Sequence, residues 1–145
     1  MVVVPDASVI LKWVLQRDKE GDFPNAFKVL EDYLAENLEI RLPSLWRYEV
    51  GNVVGLKQPH LASEAMDTLL AYHFAEETLQ RDYCLAVLRF MESVKGTTFY
   101  DASYHVLAIR LGGVCITGDQ DYVKKAHRKG HLALLSEWPL RTESP

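Results

Sequence analysis

The chain has 145 residues, 48% of them hydrophobic and 25% charged, so it matches an ordinary globular domain able to bury about two thirds of its unfolded surface. Its formal net charge of -4 excludes a strongly basic nucleic-acid coat protein, though not an enzyme whose acids are offset by bound cations. No run approaches the roughly 18 to 20 apolar residues of a membrane span, and the apolar start has no positive n-region and is broken by Pro5, Asp6 and Lys12, which argues against a signal peptide.

Val2 to Val4 form a β-branched run ended by Pro5-Asp6, the pattern of a first strand. Ala7 to Leu15 then reads as an apolar helix ending near Gln16-Arg17-Asp18, and Pro24 begins a second helix with Phe27, Leu30, Leu34 and Leu38 on one face. Glu39 to Leu42 is a second strand that stops before Pro43. Ser44 is expected to cap a third helix running to about Leu56, broken by Gln58-Pro59. A fourth helix carries Leu61, Ala65, Leu69 and Tyr72. Glu77 to Gln80 is the weakest pattern of the chain and is read as a third strand. Asp82 is expected to cap a fifth helix, with Ala86, Phe90 and Val94 inward and Gly96 at its end. Thr98 opens a sixth helix to Leu111, closed by Gly112-Gly113. Val114 to Thr117 is the clearest strand. Asp119 starts a short helix to about Lys129, Gly130 terminates it, Leu132 to Leu135 is a last strand, and Arg141 to Pro145 is read as a frayed tail.

Strands alternating with helices imply right-handed crossovers and a central parallel sheet of about five strands in a three-layer α/β/α arrangement, one domain over residues 1–145. Cys84 and Cys115 read as buried, reduced thiols of a cytoplasmic protein. No glycine-rich phosphate loop of either common type occurs.

Four carboxylates then stand out. Asp6 and Asp119 follow short strands, Asp101 lies in the first turn of a helix, and Glu49 lies on a helical face with Leu45, Val53 and Leu56. In an α/β chain those positions face the crevice at the carboxyl ends of the strands, where ligands bind. Each Asp alone is also explained as a helix cap, and Asp121 suits a helix first turn by its charge. Glu49 is harder to explain, because a carboxylate on an apolar stripe is costly unless paired, protonated or metal-bound. Acids gathered in one crevice repel unless they share a cation, and several carboxylate oxygens are what Mg²⁺ or Mn²⁺ takes. Such a site supports hydrolysis of a phosphodiester. Lys124, Lys125, Arg128 and Lys129 follow Asp119 directly and suit either a solvated helix end or phosphate contact, a role also open to Lys12 and Arg47. His127 and His131 are separated by the helix-ending Gly130 and read as loop histidines, and Trp13 and Trp46 read as core or interface residues.

The stretches Val2-Val3-Val4-Pro5-Asp6-Ala7-Ser8, Pro43 to Asn52 around Glu49, Tyr100-Asp101-Ala102-Ser103-Tyr104 with Leu107-Ala108, and Ile116-Thr117-Gly118-Asp119 together resemble the PIN-domain ribonucleases, most of all the VapC-type toxins of toxin–antitoxin pairs. The resemblance covers nearly the whole chain. It implies a metal site formed by Asp6, Glu49, Asp101 and Asp119, with Ser8 and Thr117 at positions that orient carboxylates or a water, and Asp121 at a position acidic in only some members. It also implies an Mg²⁺- or Mn²⁺-dependent ribonuclease acting on single-stranded or looped RNA, restrained by an antitoxin whose tail lies along the third and fourth helices. A two-fold homodimer is expected through the third to fifth helices, whose Tyr48, Val54, Leu61, Met66 and Leu70 are left over after one face is buried. The alternatives are a housekeeping PIN nuclease, an aspartyl-phosphate phosphatase, which wants a second Asp at Ser8, and a non-catalytic interaction module whose acids merely cap helices.

Overall fold

The computed structural model describes residues 1–15 and 22–141. The expected end of the first helix near Gln16-Arg17-Asp18 and residues 142–145 of the expected frayed tail lie outside them. In chain order the elements are β1 (Val2–Pro5), α1 (Ala7–Lys12), α2 (Phe23–Leu34), β2 (Glu39–Pro43), α3 (Trp46–Lys57), α4 (Ala62–Ala71), β3 (Ala75–Glu77), α5 (Arg81–Ser93), α6 (Phe99–Leu111), β4 (Val114–Thr117), α7 (Gln120–Ala126) and β5 (Leu132–Leu134), with 3₁₀ turns at His127–Lys129 and Leu135–Glu137.

The five strands form one parallel sheet in the order β3-β2-β1-β4-β5. Right-handed crossovers send α1 to α4 to one face and α5 to α7 to the other, which makes three layers. α6 packs across β1, β2 and β4, and α5 covers α6. Its sequence explains that position: Ala102 to Ala108 are all buried, so α6 is apolar nearly all round, as a helix sandwiched between a sheet and another helix must be. Val3, Val4, Ile40, Leu42, Cys115 and Ile116 supply the sheet's part of the core. Both sheet faces are covered, which accounts for the continuous apolar runs in β1 and β4.

The strand order reverses between β1 and β4, and such a switch point opens a crevice at the carboxyl ends of the two strands. Pro5 pairs with Ile116, and the Asp6 N–H donates to the Ile116 carbonyl at 3.0 Å. The ends of β1 and β4 are therefore locked side by side. Gly113 makes this possible at the other end of the pair, because a Cβ there would run into the Val2 backbone. Gly112 closes α6 with φ 66°, a left-handed conformation that glycine adopts without penalty.

Several expected details differ. α1 ends at Lys12 in a turn rather than running to Leu15. Ser44 makes no cap; its N–H instead donates to the Glu77 carbonyl, and α3 begins uncapped after Leu45. β3 is Ala75–Glu77 rather than Glu77–Gln80, because pairing with Arg41 to Pro43 of β2 selects the strand. α5 starts after Gln80, so Asp82 lies inside its first turn and caps nothing. α7 is α-helical only to Ala126 and finishes as a 3₁₀ turn, and β5 stops at Leu134. Leu34, at the end of α2, is exposed, and Cys84 is half-buried whereas Cys115 is buried. Trp13 and Trp46 are core residues packed around Phe74. Val54 is 0% exposed and belongs to the core with Trp46 and Val50, so it is unavailable to a dimer face; Tyr48, at 82%, and Leu56, at 76%, are the exposed apolar residues of α3. No helix among the described residues is long and apolar enough to cross a membrane.

Candidate active site at the β1–β4 switch point

Asp6 is the N-cap of α1 and is buried, with Oδ1 accepting from the Ser8 hydroxyl at 2.5 Å and from the Val9 N–H at 3.4 Å. Ser8 in turn accepts from the Gly118 N–H at 2.9 Å, so one hydroxyl ties the β1–α1 turn to the β4–α7 turn. Thr117 is fully buried, its hydroxyl helps to lower the Asp6 pKa, and its Oγ1 accepts from the Asp119 N–H at 3.1 Å. Asp119 caps α7 by accepting from the Tyr122 N–H at 3.0 Å. Ser8 thus bonds Asp6 on one side of the switch point and Gly118 on the other, and Thr117 bonds the Asp119 backbone.

Asp101 enters from the other layer. Thr98 caps α6 by accepting the Asp101 N–H at 3.1 Å, which places the acid in the first helical turn. Tyr104, one turn on and buried, donates its hydroxyl to Glu49 Oε1 at 3.3 Å. Glu49 does not lie on the buried stripe of α3, which is Trp46, Val50 and Val54. It borders that stripe with half-buried Leu45 and Val53, whereas Leu56 is exposed. Its apolar surroundings are therefore partial, and Tyr104 supplies its polar partner.

The charges of the four acids reach one another. Burial pushes the Asp6 carboxyl up to about 6, against the pull of Ser8 and Thr117, and the Asp101 charge adds to the rise. Glu49 is pushed up to about 7, first by burial and then by Asp101 and Asp6, against the Tyr104 bond. Asp101 is raised by burial and by Asp119, with Thr98 and Lys125 opposing. Asp6, Glu49 and Asp101 are thus partly desolvated carboxylates whose ionisation is resisted by their acidic neighbours, Asp119 among them. Oxygen-only donors of this kind suit a hard divalent cation. Among the described residues no three His, Cys, Asp or Glu side chains are drawn together tightly enough to enclose a metal by themselves. Mg²⁺ does not require that, since it keeps several waters and takes only one or two carboxylates directly.

The basic residues divide. Lys12 lies beside Gly118, where a Cβ would meet its Cε at 3.9 Å, and its ammonium stands 4.9 Å from the Phe23 ring centroid. It is at the crevice. Arg47 is instead paired with Glu76 of β3 at 2.7 Å, an acid that also accepts from the Trp46 indole. Lys125 donates to the Gly96 carbonyl at 3.0 Å and Arg128 to the Ser93 carbonyl at 2.6 Å, so both fasten the α5–α6 turn, with Lys125 still near enough to act on Asp101. Lys124 and Asp121 are exposed on α7. His127 and His131 are exposed and hydrogen-bond separately to backbone carbonyls. A hollow of about 650 Å³ lined by Glu77, Arg81, Tyr83 and Arg110 contains none of the four acids.

Tyr104, which bonds Glu49, and the buried His105 beside it have no assigned role in the sequence pattern. Tyr104 and His105 follow Asp101 by three and four residues, the spacings that share its helical face. That spacing is the one signal available; their partners on α3 and α7 are set by the tertiary fold.

A family model described as PIN domain matches residues 3–128. Among solved structures, VapBC2 from Rickettsia felis, determined bound to a DNA fragment from its promoter, is similar with a TM-score of 0.68 and 15% identity, covering 92% of this chain and 97% of that one. VapC20 from Mycobacterium tuberculosis, described as a Sarcin-Ricin loop cleaving toxin, is similar with a TM-score of 0.60 and 12% identity, covering 76% and 83%. No curated protein sequence matches the chain significantly.

Proposed function

This chain belongs to the PIN-domain family, and from that premise we propose that it is a metal-dependent endoribonuclease serving as the toxin of a toxin–antitoxin pair. The observation that carries this reading is the gathering of acids round the switch point of the sheet, where Asp6 and Asp119 cap the helices after β1 and β4, Asp101 lies near enough to act on both Asp6 and Glu49, and Asp119 acts on Asp101. Capping accounts for Asp6 and Asp119 separately, but it gives no reason for Asp6, Glu49 and Asp101 to be desolvated near one another, at a cost in stability.

In this reading Asp6, Glu49, Asp101 and Asp119 hold Mg²⁺ or Mn²⁺. The ion, when bound, supplies an activated water and neutralises charge that builds on the phosphate and the leaving oxygen. The chain's own residues do the rest. Ser8 fixes Asp6 through Oδ1, and Thr117 stabilises the charged form of the same carboxylate. Tyr104 keeps Glu49 at the α3 edge of the site. Lys12, beside Gly118, and exposed Lys124 are the proposed phosphate contacts, with Asp121 nearby in the sequence, while the donors of Lys125 and Arg128 bond the α5–α6 turn and those residues contribute field. Arg47, engaged by Glu76, is the weakest of the proposed substrate contacts.

The RNA substrate and the antitoxin are supported by the kinds of protein whose folds this chain shares, one a loop-cleaving toxin and one a VapBC pair. We place the homodimer face on Tyr48 and Leu56 of α3 with half-buried Leu61, Met66 and Leu70 of the α4 region. A phosphatase using Asp6 as nucleophile is disfavoured, because the position where it needs a second acid is Ser8, whose hydroxyl is committed to Asp6 and Gly118. Induced expression of the chain is expected to arrest growth, the neighbouring antitoxin gene to relieve the arrest through a stable complex, and Asp101→Asn to be harmless. Cleavage of RNA in vitro without growth arrest would replace the toxin reading with a housekeeping nuclease.

A further inference from the structure

His105 lies one turn beyond Asp101 on α6 and is completely buried. Its ring nitrogens face different partners: Nε2 is 2.7 Å from the Gly130 carbonyl oxygen, and Nδ1 is 2.7 Å from the Tyr122 hydroxyl. A carbonyl only accepts, so Nε2 carries the hydrogen, and Nδ1 of the neutral ring accepts from Tyr122. Burial holds the imidazole in that neutral form, and the Phe90 and Tyr122 rings stand edge-on to it at 4.9 and 5.7 Å between centroids.

Tyr122 is itself buried, and its N–H is the group that donates to the Asp119 carboxylate. One residue thus touches Asp119 at its backbone and His105 at its side chain. The other His105 partner, Gly130, terminates the 3₁₀ turn that follows α7. A single imidazole therefore grips α7 near its start and just past its end. α7 has seven residues, far below the length at which a helix is stable by itself, so its placement depends on such tertiary anchors.

We propose that His105 and Tyr122 form a positioning brace, built between α6 and α7, that holds the Asp119 carboxylate in register with Asp101. The proposal rests on the carboxylate-site reading above. Neither residue is catalytic; both act through Asp119, as outer partners orient the ligands of metal sites.

The test uses the full chain and two readouts, amide exchange by NMR without metal and Mn²⁺ affinity by electron paramagnetic resonance. Tyr122→Phe removes one oxygen and keeps the ring, and His105→Leu removes both hydrogen bonds. Each is expected to speed exchange of the amides at positions 122 and 123 about tenfold or more, with the buried amides of α6 unchanged, and to weaken Mn²⁺ binding about 10- to 100-fold. His105→Gln keeps one donor and one acceptor and is expected to recover most of both. In an Asp119→Asn background the further loss of affinity from Tyr122→Phe should vanish. Unchanged exchange and affinity in both variants, or an undiminished loss without the Asp119 carboxylate, would overturn the brace. Should the wild-type chain bind no Mn²⁺, the carboxylate-site reading fails, and the exchange data alone decide: faster exchange at 122 and 123 upholds the brace, and unchanged exchange removes it.

Discussion

Because Asp6 is buried beside other acids, Asp6→Asn is expected to stabilise the metal-free protein at neutral pH. The folded carboxyl titrates at about 6 against an ordinary value of 3.8, a gap of roughly two pH units, and each unit corresponds to about 1.4 kcal/mol, giving about 3 kcal/mol in all. The folded value lies above the unfolded one, so between them the native state binds more protons. The Asp6 contribution to wild-type stability is therefore fullest below about pH 4 and is lost as pH rises through 6. Asn cannot ionise, caps a helix as well as Asp, and keeps an acceptor for Ser8 and Val9. The variant should match wild type near pH 4 and exceed it by about 3 kcal/mol at pH 8, roughly 6 to 12 °C in Tm for a domain of this size. Urea unfolding in EDTA at pH 4, 6 and 8 measures the difference directly. Glu49, pushed up to about 7, gives both proteins a residual slope of the same sign. An equal difference at pH 4 and pH 8, or a variant less stable than wild type at pH 8, would refute the argument.

Gly113→Ala places a Cβ against the Val2 backbone between β1 and β4 and should cost about 1–3 kcal/mol by urea unfolding; a neutral effect would show that the strand pair yields easily. Sedimentation at micromolar concentration should give twice the 16.5 kDa chain mass, and Tyr48→Ser with Leu56→Ser should return it to monomer without loss of secondary structure, whereas a wild-type monomer would remove the proposed dimer face.

How far the sequence led depended on whether the signal was local. β1 and β4 are β-branched runs with clear ends, and Thr98, Asp6 and Asp119 were readable as helix-start residues from their neighbours alone. β3 differs from the sequence expectation because Ala75-Glu76-Glu77 has little intrinsic strand preference and becomes a strand only by pairing with β2. The buried face of the third helix is not local information: Leu45, Val53 and Leu56 fit a helical stripe as well as Trp46, Val50 and Val54 do, and the packing against α1 and α4 chooses the latter. Ser44 and Asp82 looked like caps by composition, but the chain turns into α3 and α5 one or more residues away from them. Each acid stands in a readable local context, and Tyr104 and His105 share the helical face of Asp101, but the partners of Tyr104, His105 and Tyr122 lie on other helices and are set by the tertiary fold.

The most direct measurement is cleavage of a single-stranded or loop-containing RNA by the purified chain with Mg²⁺ or Mn²⁺, with EDTA, and with Asp101→Asn. Asp101 is the acid that couples to Asp6, Glu49 and Asp119 alike, and Asn keeps its shape while removing its charge. The account predicts cleavage by wild type with either ion and none in EDTA or with the variant. Undiminished cleavage in EDTA, or by Asp101→Asn, would contradict it.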